Sequence, residues 1–152
     1  MDDSNAAMLL AMGFRAMTDR FHELLAADGR EPLRPAHGFA FRLLQQSGGT
    51  SITELAARLG VTKQATSKLV EELVAWGYVQ RTSDPASGRT KRVTLTAKGR
   101  RYLERADELW QIVEGEWRAL VGERALADAK RAVAAYVEQR ADGEVPALRP
   151  SW

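Results

Sequence analysis

Apolar residues recur at helical spacing over the first part of the chain. They follow one another at steps of three and four residues, as on one side of a helix, and are Leu10, Phe14, Met17, Phe21 and Leu24. We therefore predict a first helix from about Ser4 to Ala27, which ends at Asp28-Gly29. The two prolines of EPLRP do not fit a helix interior, so a connector follows.

Two shorter helices are predicted next from their start and stop signals. Pro35 suits a first helical turn, and the helix that it begins ends at SGGT. Ser51 and Glu54 have the spacing of a capping box. They predict a helix from Ile52 to Leu59, with Gly60 beyond its end.

A further helix begins after only two residues. Thr62 can cap it, and its apolar residues share one side, namely Ala65, Leu69, Val70, Leu73 and Trp76. Two short helices across so tight a turn are typical of a helix-turn-helix.

The residues after Gly77 predict a hairpin and then two more helices. YVQRT, SDPASGR and TKRVTLT have the character of a strand, a polar turn and a strand, which together form a wing. Thr96 can cap a long helix with apolar residues Tyr102, Leu103, Ala106, Leu109, Trp110, Val113, Trp117 and Leu120. Gly122 separates it from a last helix marked by Leu126, Ala129, Val133, Tyr136 and Val137.

The predicted fold class is mainly α with a small β-hairpin wing: a winged helix-turn-helix core plus N- and C-terminal dimerisation helices. Residues 1–34 form the N-terminal helix and connector, 35–98 the winged helix-turn-helix region, 99–142 the C-terminal dimerisation helices and 143–152 a loose tail. Wide apolar faces on the terminal helices need a cover, and we expect a second copy of the chain to supply it. The alternative is that these helices fold back onto the core of a monomer.

Charge is divided unevenly along the chain. The 152 residues include 22 basic and 20 acidic ones, a net charge of +2. Residues 50–101 hold ten basic and four acidic side chains, a net charge of +6, so the flanking segments are acidic. A basic middle favours an anionic partner, with nucleic acid first, although an ordinary solvated surface explains the charge alone equally well.

Several classes of site are excluded by composition. The chain has no cysteine, which removes disulfides, thiolate zinc sites and thiol-based sensing, and its histidines lack clustered acidic ligands, so no metal or cofactor is predicted. We find no Gly-rich phosphate loop and no nucleophile with its base, and we predict no enzyme. No apolar run reaches the roughly 18 residues of a membrane span and the first residues are acidic, so we expect a cytoplasmic protein.

The outward side of the second helix of the helix-turn-helix suits the major groove of duplex DNA. Its residues are Thr62, Lys63, Gln64, Ser67 and Lys68, with Thr66 at the border. Gln64 can pair with adenine and Lys63 with a guanine edge or a phosphate, whereas Ser67 and Lys68 suit phosphate. The alternative is a solvated polar face.

The wing strengthens the DNA interpretation. It carries Arg89, Lys91 and Arg92, and a protruding arginine suits the narrow, electronegative minor groove. Asp84 suits a role in fixing the loop by pairing with Arg89 or a neighbour, because its charge would repel phosphate.

The stretch TELAARLGVTKQATSKLVEELVAWGYVQRTSDPASGRTKRVTLTAKG resembles the MarR (multiple-antibiotic-resistance regulator) family of winged-helix repressors. The family pattern of a wing with aspartate and arginine, then Leu-Thr and Gly, is matched by Asp84, Arg89, Leu95, Thr96 and Gly99. The resemblance implies a two-fold dimer joined through its terminal helices, with residues 62–68 in the major groove and Arg89 in the minor groove. Many members place a second wing arginine near the aspartate, where this chain has Ala86-Ser87-Gly88.

The resemblance also implies a small aromatic or anionic effector, bound in a crevice between the DNA-binding part and the dimer helices. Candidate ligand-binding residues are His37, Phe41, Trp110 and Trp117. The alternative is that these side chains pack the core or the dimer interface.

The predicted function is a sequence-specific transcriptional regulator, a repressor that binds a near-palindromic operator as a homodimer. The main rival is a winged-helix module for protein–protein interaction, and salt-dependent binding to random duplex DNA separates the two. RNA binding is not favoured, because the sequence lacks the exposed aromatic platform on which proteins usually stack single-stranded RNA.

Overall fold

A computed structural model describes residues 5–83, 86, 88, 91–141 and 147 of the chain. In chain order, its elements are α1 (Ala6–Ala26), α2 (Pro35–Ser47), α3 (Ile52–Leu59), α4 (Lys63–Ala75), β1 (Val79–Ser83), β2 (Lys91–Leu95), α5 (Ala97–Val121) and α6 (Glu123–Arg140). The predicted fold class, mainly helical with a two-stranded wing, is confirmed. No helix in these ranges is long and apolar enough to cross a membrane.

The local signals place the helix ends close to where the sequence predicts them. The Ser51 hydroxyl accepts the backbone N–H of Glu54 at 3.2 Å, and the Glu54 carboxylate accepts that of Ser51 at 3.3 Å, so the predicted capping box begins α3. The first helix is shorter than the predicted Ser4–Ala27. It begins after Asn5, whose side chain accepts the backbone N–H of Met8 at 2.9 Å.

The two strands of the wing pair antiparallel, from Val79 opposite Leu95 to Ser83 opposite Lys91. The buried Val93 exchanges two backbone hydrogen bonds with Thr50, of 3.0 and 2.8 Å, which fix the base of the wing to the segment before α3. Asp84 and Arg89 lie outside the described residues.

The second half of α1 and the first half of α5 contribute to the core of the chain. Phe21 stacks on Trp110 with ring centroids 4.5 Å apart, and Val113 is buried one turn further along α5. From the sequence, we expected Phe21, Trp110 and Val113 to lie on the apolar faces that contact a second copy of the chain. The structure corrects this assignment, because this half of α1 packs along α5 of the same chain.

The outer parts of the terminal helices are more open to solvent. Every residue from 5 to 16 and from 130 to 140 is exposed, and α6 buries only Leu126 among its 18 residues. Large apolar side chains on these stretches remain open to solvent, including Met8, Leu9, Leu10, Met12, Val133, Tyr136 and Val137.

Candidate nucleic-acid interface and the adjoining cavity

Helix α4 is positioned by its N-cap and by its buried side. Gly60 ends α3 with a φ of +70°, and the Thr62 hydroxyl accepts the backbone N–H of Ala65 at 3.1 Å, so α4 begins at Lys63, three residues after Gly60. Its buried residues are Thr66, Leu69, Val70 and Leu73. These contacts fix the direction of the opposite face.

The outer face of α4 presents donors to solvent. Lys63, Gln64 and Lys68 are exposed, Thr62 is exposed beside the cap, and Ser67 is half-buried. The side chains predicted for the major groove thus form one surface at the N-terminal half of α4, with Thr66 as the exception.

Thr66 does not lie at the border of this surface, as the sequence predicted. It is fully buried, and its hydroxyl donates to the carbonyl oxygen of Thr62 at 3.0 Å. Ala65, which the sequence placed inward, is exposed. The inner side of α4 is therefore rotated by one residue, which removes Thr66 from the candidate interface.

The wing residues differ in how freely they can reach a partner. Lys91 is exposed at the start of β2. Arg92 is half-buried and donates to the carbonyl oxygen of Gly49 at 2.5 Å, so it holds the base of the wing against the turn after α2. This hydrogen bond engages the Arg92 guanidinium inside the chain.

A cavity of about 220 Å³ lies between α1, α2 and α5. Its aromatic wall consists of Phe14, Phe21, Phe39, Tyr102 and Trp110. Arg34 and Arg42 supply positive charge to it, and Thr18 lies in the same lining. Within the described ranges the buried Thr18 hydroxyl has no hydrogen-bond partner. Apolar walls, two cations and an unsatisfied hydroxyl suit a small aromatic anion.

Of the four residues predicted to bind a ligand, the structure places one in this lining. Trp110 lines the cavity, whereas Phe41 is fully buried in the core between the rings of Tyr78 and Tyr102. His37 is also fully buried beside the cavity, and the half-buried Trp117 is not part of the lining. Phe41 and His37 pack inside the chain and Trp117 lies two turns beyond Trp110 on α5, so this cavity does not bring the four predicted residues together.

His37 joins α2 to α4 through a buried hydrogen-bond network. Its Nδ1 accepts the backbone N–H of Arg34 at 2.9 Å, which places the ring proton on Nε2. Nε2 then donates to Glu72 Oε2 at 2.9 Å, and the ring packs edge-on against Trp76 at 5.4 Å.

The pKa values of His37 and Glu72 are both lowered in this network. Burial lowers the pKa of His37 from its ordinary 6.5, the hydrogen bond to Glu72 opposes this, and the charge of Arg34 lowers the pKa further. Burial raises the pKa of Glu72, but the hydrogen bond from His37 and the charge of Arg34 outweigh it, so the net shift is downward.

Sequence reasoning missed Arg34 and Arg42. Arg34 is the N-cap of α2, where its guanidinium reaches Glu72 at 2.5 Å, and Arg42 pairs with Asp107 of α5. A signal was present, because Gly38, Phe39 and Arg42 recur at helical spacing along the side of α2 that faces the cavity.

Comparison with known protein families agrees with this geometry. Residues 32–90, which include α2, α3, α4 and β1, match the model of the MarR family. The HTH-type transcriptional repressor Rv2887 of Mycobacterium tuberculosis is 42% identical over 66 residues, which are 43% of this chain and 48% of that protein. A repressor of Mycobacterium bovis matches to the same extent. The chain thus spans about half the length of the curated relatives that it matches.

Solved structures match over most of the chain. The Mycobacterium tuberculosis MarR family protein Rv2887 in complex with salicylic acid has a TM-score of 0.69 and 28% identity, covering 89% of this chain and 98% of its own. The transcriptional repressor CouR bound to a 23-mer DNA duplex has a TM-score of 0.72 and 27% identity over 88% of this chain and 92% of its own. The reduced form of MarR from E. coli, at 19% identity over 88% of this chain and 97% of its own, shares the fold with a TM-score of 0.77.

Proposed function

We propose that this chain is a transcriptional repressor of the MarR type, which binds a near-palindromic DNA operator as a homodimer; the proposal rests on the match of residues 32–90 to the MarR family. The observation that carries the proposal is the surface of α4, where Lys63, Gln64 and Lys68 are exposed on a helix fixed by its cap and its buried side. Donors at the N-terminal half of such a helix can reach base edges in the major groove. We propose no catalytic activity, and we place the protein in the cytoplasm, where its DNA target lies.

The relatives support the same function. Rv2887 and the Mycobacterium bovis protein are HTH-type transcriptional repressors, and the solved structure of the repressor CouR has it bound to a 23-mer DNA duplex. Arg89, proposed for the minor groove with Asp84 fixing its loop, completes the interface on the basis of the sequence pattern.

We also propose that a small aromatic acid occupies the cavity between α1, α2 and α5 and releases the protein from DNA. Trp110 and Phe21 offer stacked apolar rings there, and Arg34 and Arg42 offer the positive charge that a carboxylate needs. The complex of Rv2887 with salicylic acid supports this choice of ligand class.

The DNA proposal is tested with an operator selected from random duplexes. Gln64→Ala should relax base preference at one position in each half-site, at a cost of roughly 1 to 3 kcal/mol. Lys68→Ala should weaken binding to all DNA sequences alike. It should also reduce the slope of the logarithm of the binding constant against the logarithm of the salt concentration by about one. Lys130→Ala is the control, because Lys130 lies on α6 and pairs with Glu114.

Two results would contradict the proposal. One is an affinity and selectivity for the operator that neither Gln64→Ala nor Lys68→Ala changes relative to Lys130→Ala. The other is the absence of salt-dependent binding to any duplex, which would favour a protein–protein interaction module instead.

A further inference from the structure

Arg34 lies between the aromatic cavity and the helix that we assign to the major groove. We propose that it is a positioning residue that couples the two: the carboxylate of a cavity ligand competes with Glu72 of α4 for the Arg34 guanidinium. The inference rests on the proposed function and names the contact through which a ligand acts on DNA binding.

The position of Arg34 connects two cavities. It is part of the lining of the aromatic cavity and also of a second cavity of about 210 Å³ beside α4, where Ala65 and Lys68 of α4 form part of the wall. The Arg34 side chain is 53% exposed, whereas the Glu72 side chain is 31% exposed. The Arg34 side chain can therefore move towards a ligand at less cost than Glu72 can move away from its buried surroundings.

Glu72 has two donors, and only one of them can be withdrawn easily. Glu72 Oε2 accepts from Arg34 Nη2 at 2.5 Å and from His37 Nε2 at 2.9 Å. His37 is fully buried and is held from its other side by the Arg34 backbone N–H, so it stays in place. Loss of the guanidinium would leave a partly buried carboxylate with a single neutral donor, which is unfavourable.

Loss of the contact between Arg34 and Glu72 would change the orientation of α4. Glu72 is one turn before Trp76, whose ring packs against His37, so these two residues attach the C-terminal half of α4 to α2. When the Arg34 contact is lost, this attachment weakens, and the exposed face around Lys63 and Gln64 is no longer fixed for the groove. Ligand and DNA thus favour different positions of Arg34, and each lowers the affinity for the other.

The test compares, within each variant, DNA affinity without salicylate and with saturating salicylate. In the parent we expect salicylate to raise the Kd for the operator by about ten-fold, inside the usual range for coupled sites. In Glu72→Gln we expect a change of less than about two-fold, because the amide has no charge with which to hold the guanidinium, although it still accepts from His37. Salicylate binding to the DNA-free protein, followed by intrinsic tryptophan fluorescence, should become tighter in Glu72→Gln.

Arg42→Gln is the matched control. Arg42 is the other arginine of the cavity, but its partners are Asp107 of α5 and Gln45, not a residue of α4. The variant should bind salicylate more weakly, yet at saturating salicylate it should show the same fold change in operator Kd as the parent. Salicylamide, which lacks the carboxylate, should bind without this effect.

A DNA-free readout keeps the two proposals distinguishable. Salicylate should accelerate amide hydrogen exchange in residues 63–75 of the parent but not of Glu72→Gln. If the chain bound no duplex, the proposed function would fall, while the exchange measurement would still decide the role of Arg34. Equal effects of salicylate in the parent and in Glu72→Gln, on operator Kd and on exchange, would overturn the inference.

Discussion

His37 is the fully buried imidazole of the chain, with Arg34 and Glu72 as the charged groups that face it. Its pKa is lowered in the folded protein, mainly by burial, so at acid pH the unfolded chain binds the proton more readily. Its contribution to stability is therefore complete above the ordinary pKa of 6.5 and is lost as the pH falls below that value.

We predict that the free energy of unfolding falls between pH 7.5 and 5.5, with a slope from this residue of at most about 1.4 kcal/mol per pH unit. His37→Gln should be less stable at pH 7.5, since a buried hydrogen bond is lost. On acidification, however, its free energy of unfolding should decrease less than that of the parent. Denaturant titrations at both pH values measure this. The control is His22→Gln, which removes the other imidazole and should show the same decrease in the free energy of unfolding at acid pH as the parent. An equal decrease in His37→Gln would contradict the prediction.

The inner side of α4 shows why single residues are hard to place from sequence. Ala65 and Thr66 are neighbours, and hydrophobicity favours the alanine for the core. Thr66 is buried instead, because its hydroxyl donates to the Thr62 carbonyl and needs no solvent. Such a local hydrogen bond is invisible in the spacing of Leu69, Val70 and Leu73, which fits either choice.

Elements with their own end signals were predicted more accurately than single side chains. Ser51, Glu54 and Gly60 determine both ends of α3 through contacts within a few residues, so the sequence predicts Ile52–Leu59 as the structure has it. The apolar stripe of α1 was located correctly from the sequence, but the residues that pack against it were not. Periodicity shows that Phe21 needs a partner, not whether Trp110 of the same chain or a second copy supplies it.

Gly99 illustrates how one helix is seated on the wing. It lies in the first turn of α5, where an added Cβ would be 2.2 Å from the backbone carbonyl oxygen of Tyr78. This contact gives a physical reason for the glycine in the sequence pattern, because α5 can start against the base of the wing only if position 99 has no side chain.

We predict that Gly99→Ala lowers the free energy of unfolding by about 3 kcal/mol or more, since backbone would have to shift. Gly115→Ala is the control within the same helix, because a Cβ there meets nothing within 4 Å among the described residues. It should raise stability by roughly 0.5 to 1 kcal/mol, as alanine favours the helix over glycine. Chemical denaturation compares the two, and similar effects of both substitutions would contradict the close packing of α5 on Tyr78.

At the scale of the whole molecule, the described chain leaves helix surface uncovered. Helix α6 has 18 residues and buries only Leu126, and residues 5–16 of the N-terminal segment are all exposed. A helix of this length gains most of its stability from packing an apolar face, and isolated helices are marginal in water. A second copy that covers Leu10, Tyr136 and Val137 would supply that packing, which is the physical basis for the proposed homodimer.

Val137 and Val74 allow a matched test, since both are 40% exposed valines near the end of a helix. Val137 lies on α6, on the proposed dimer face, whereas Val74 lies on α4. Light scattering should give the parent and Val74→Asp a mass of twice the 16.8 kDa chain at micromolar concentration. Val137→Asp should shift the population towards the monomer, because a carboxylate would be buried without a partner. Equal masses for Val137→Asp and Val74→Asp, or a monomeric parent, would exclude α6 as the dimer face and leave its apolar residues for a different partner.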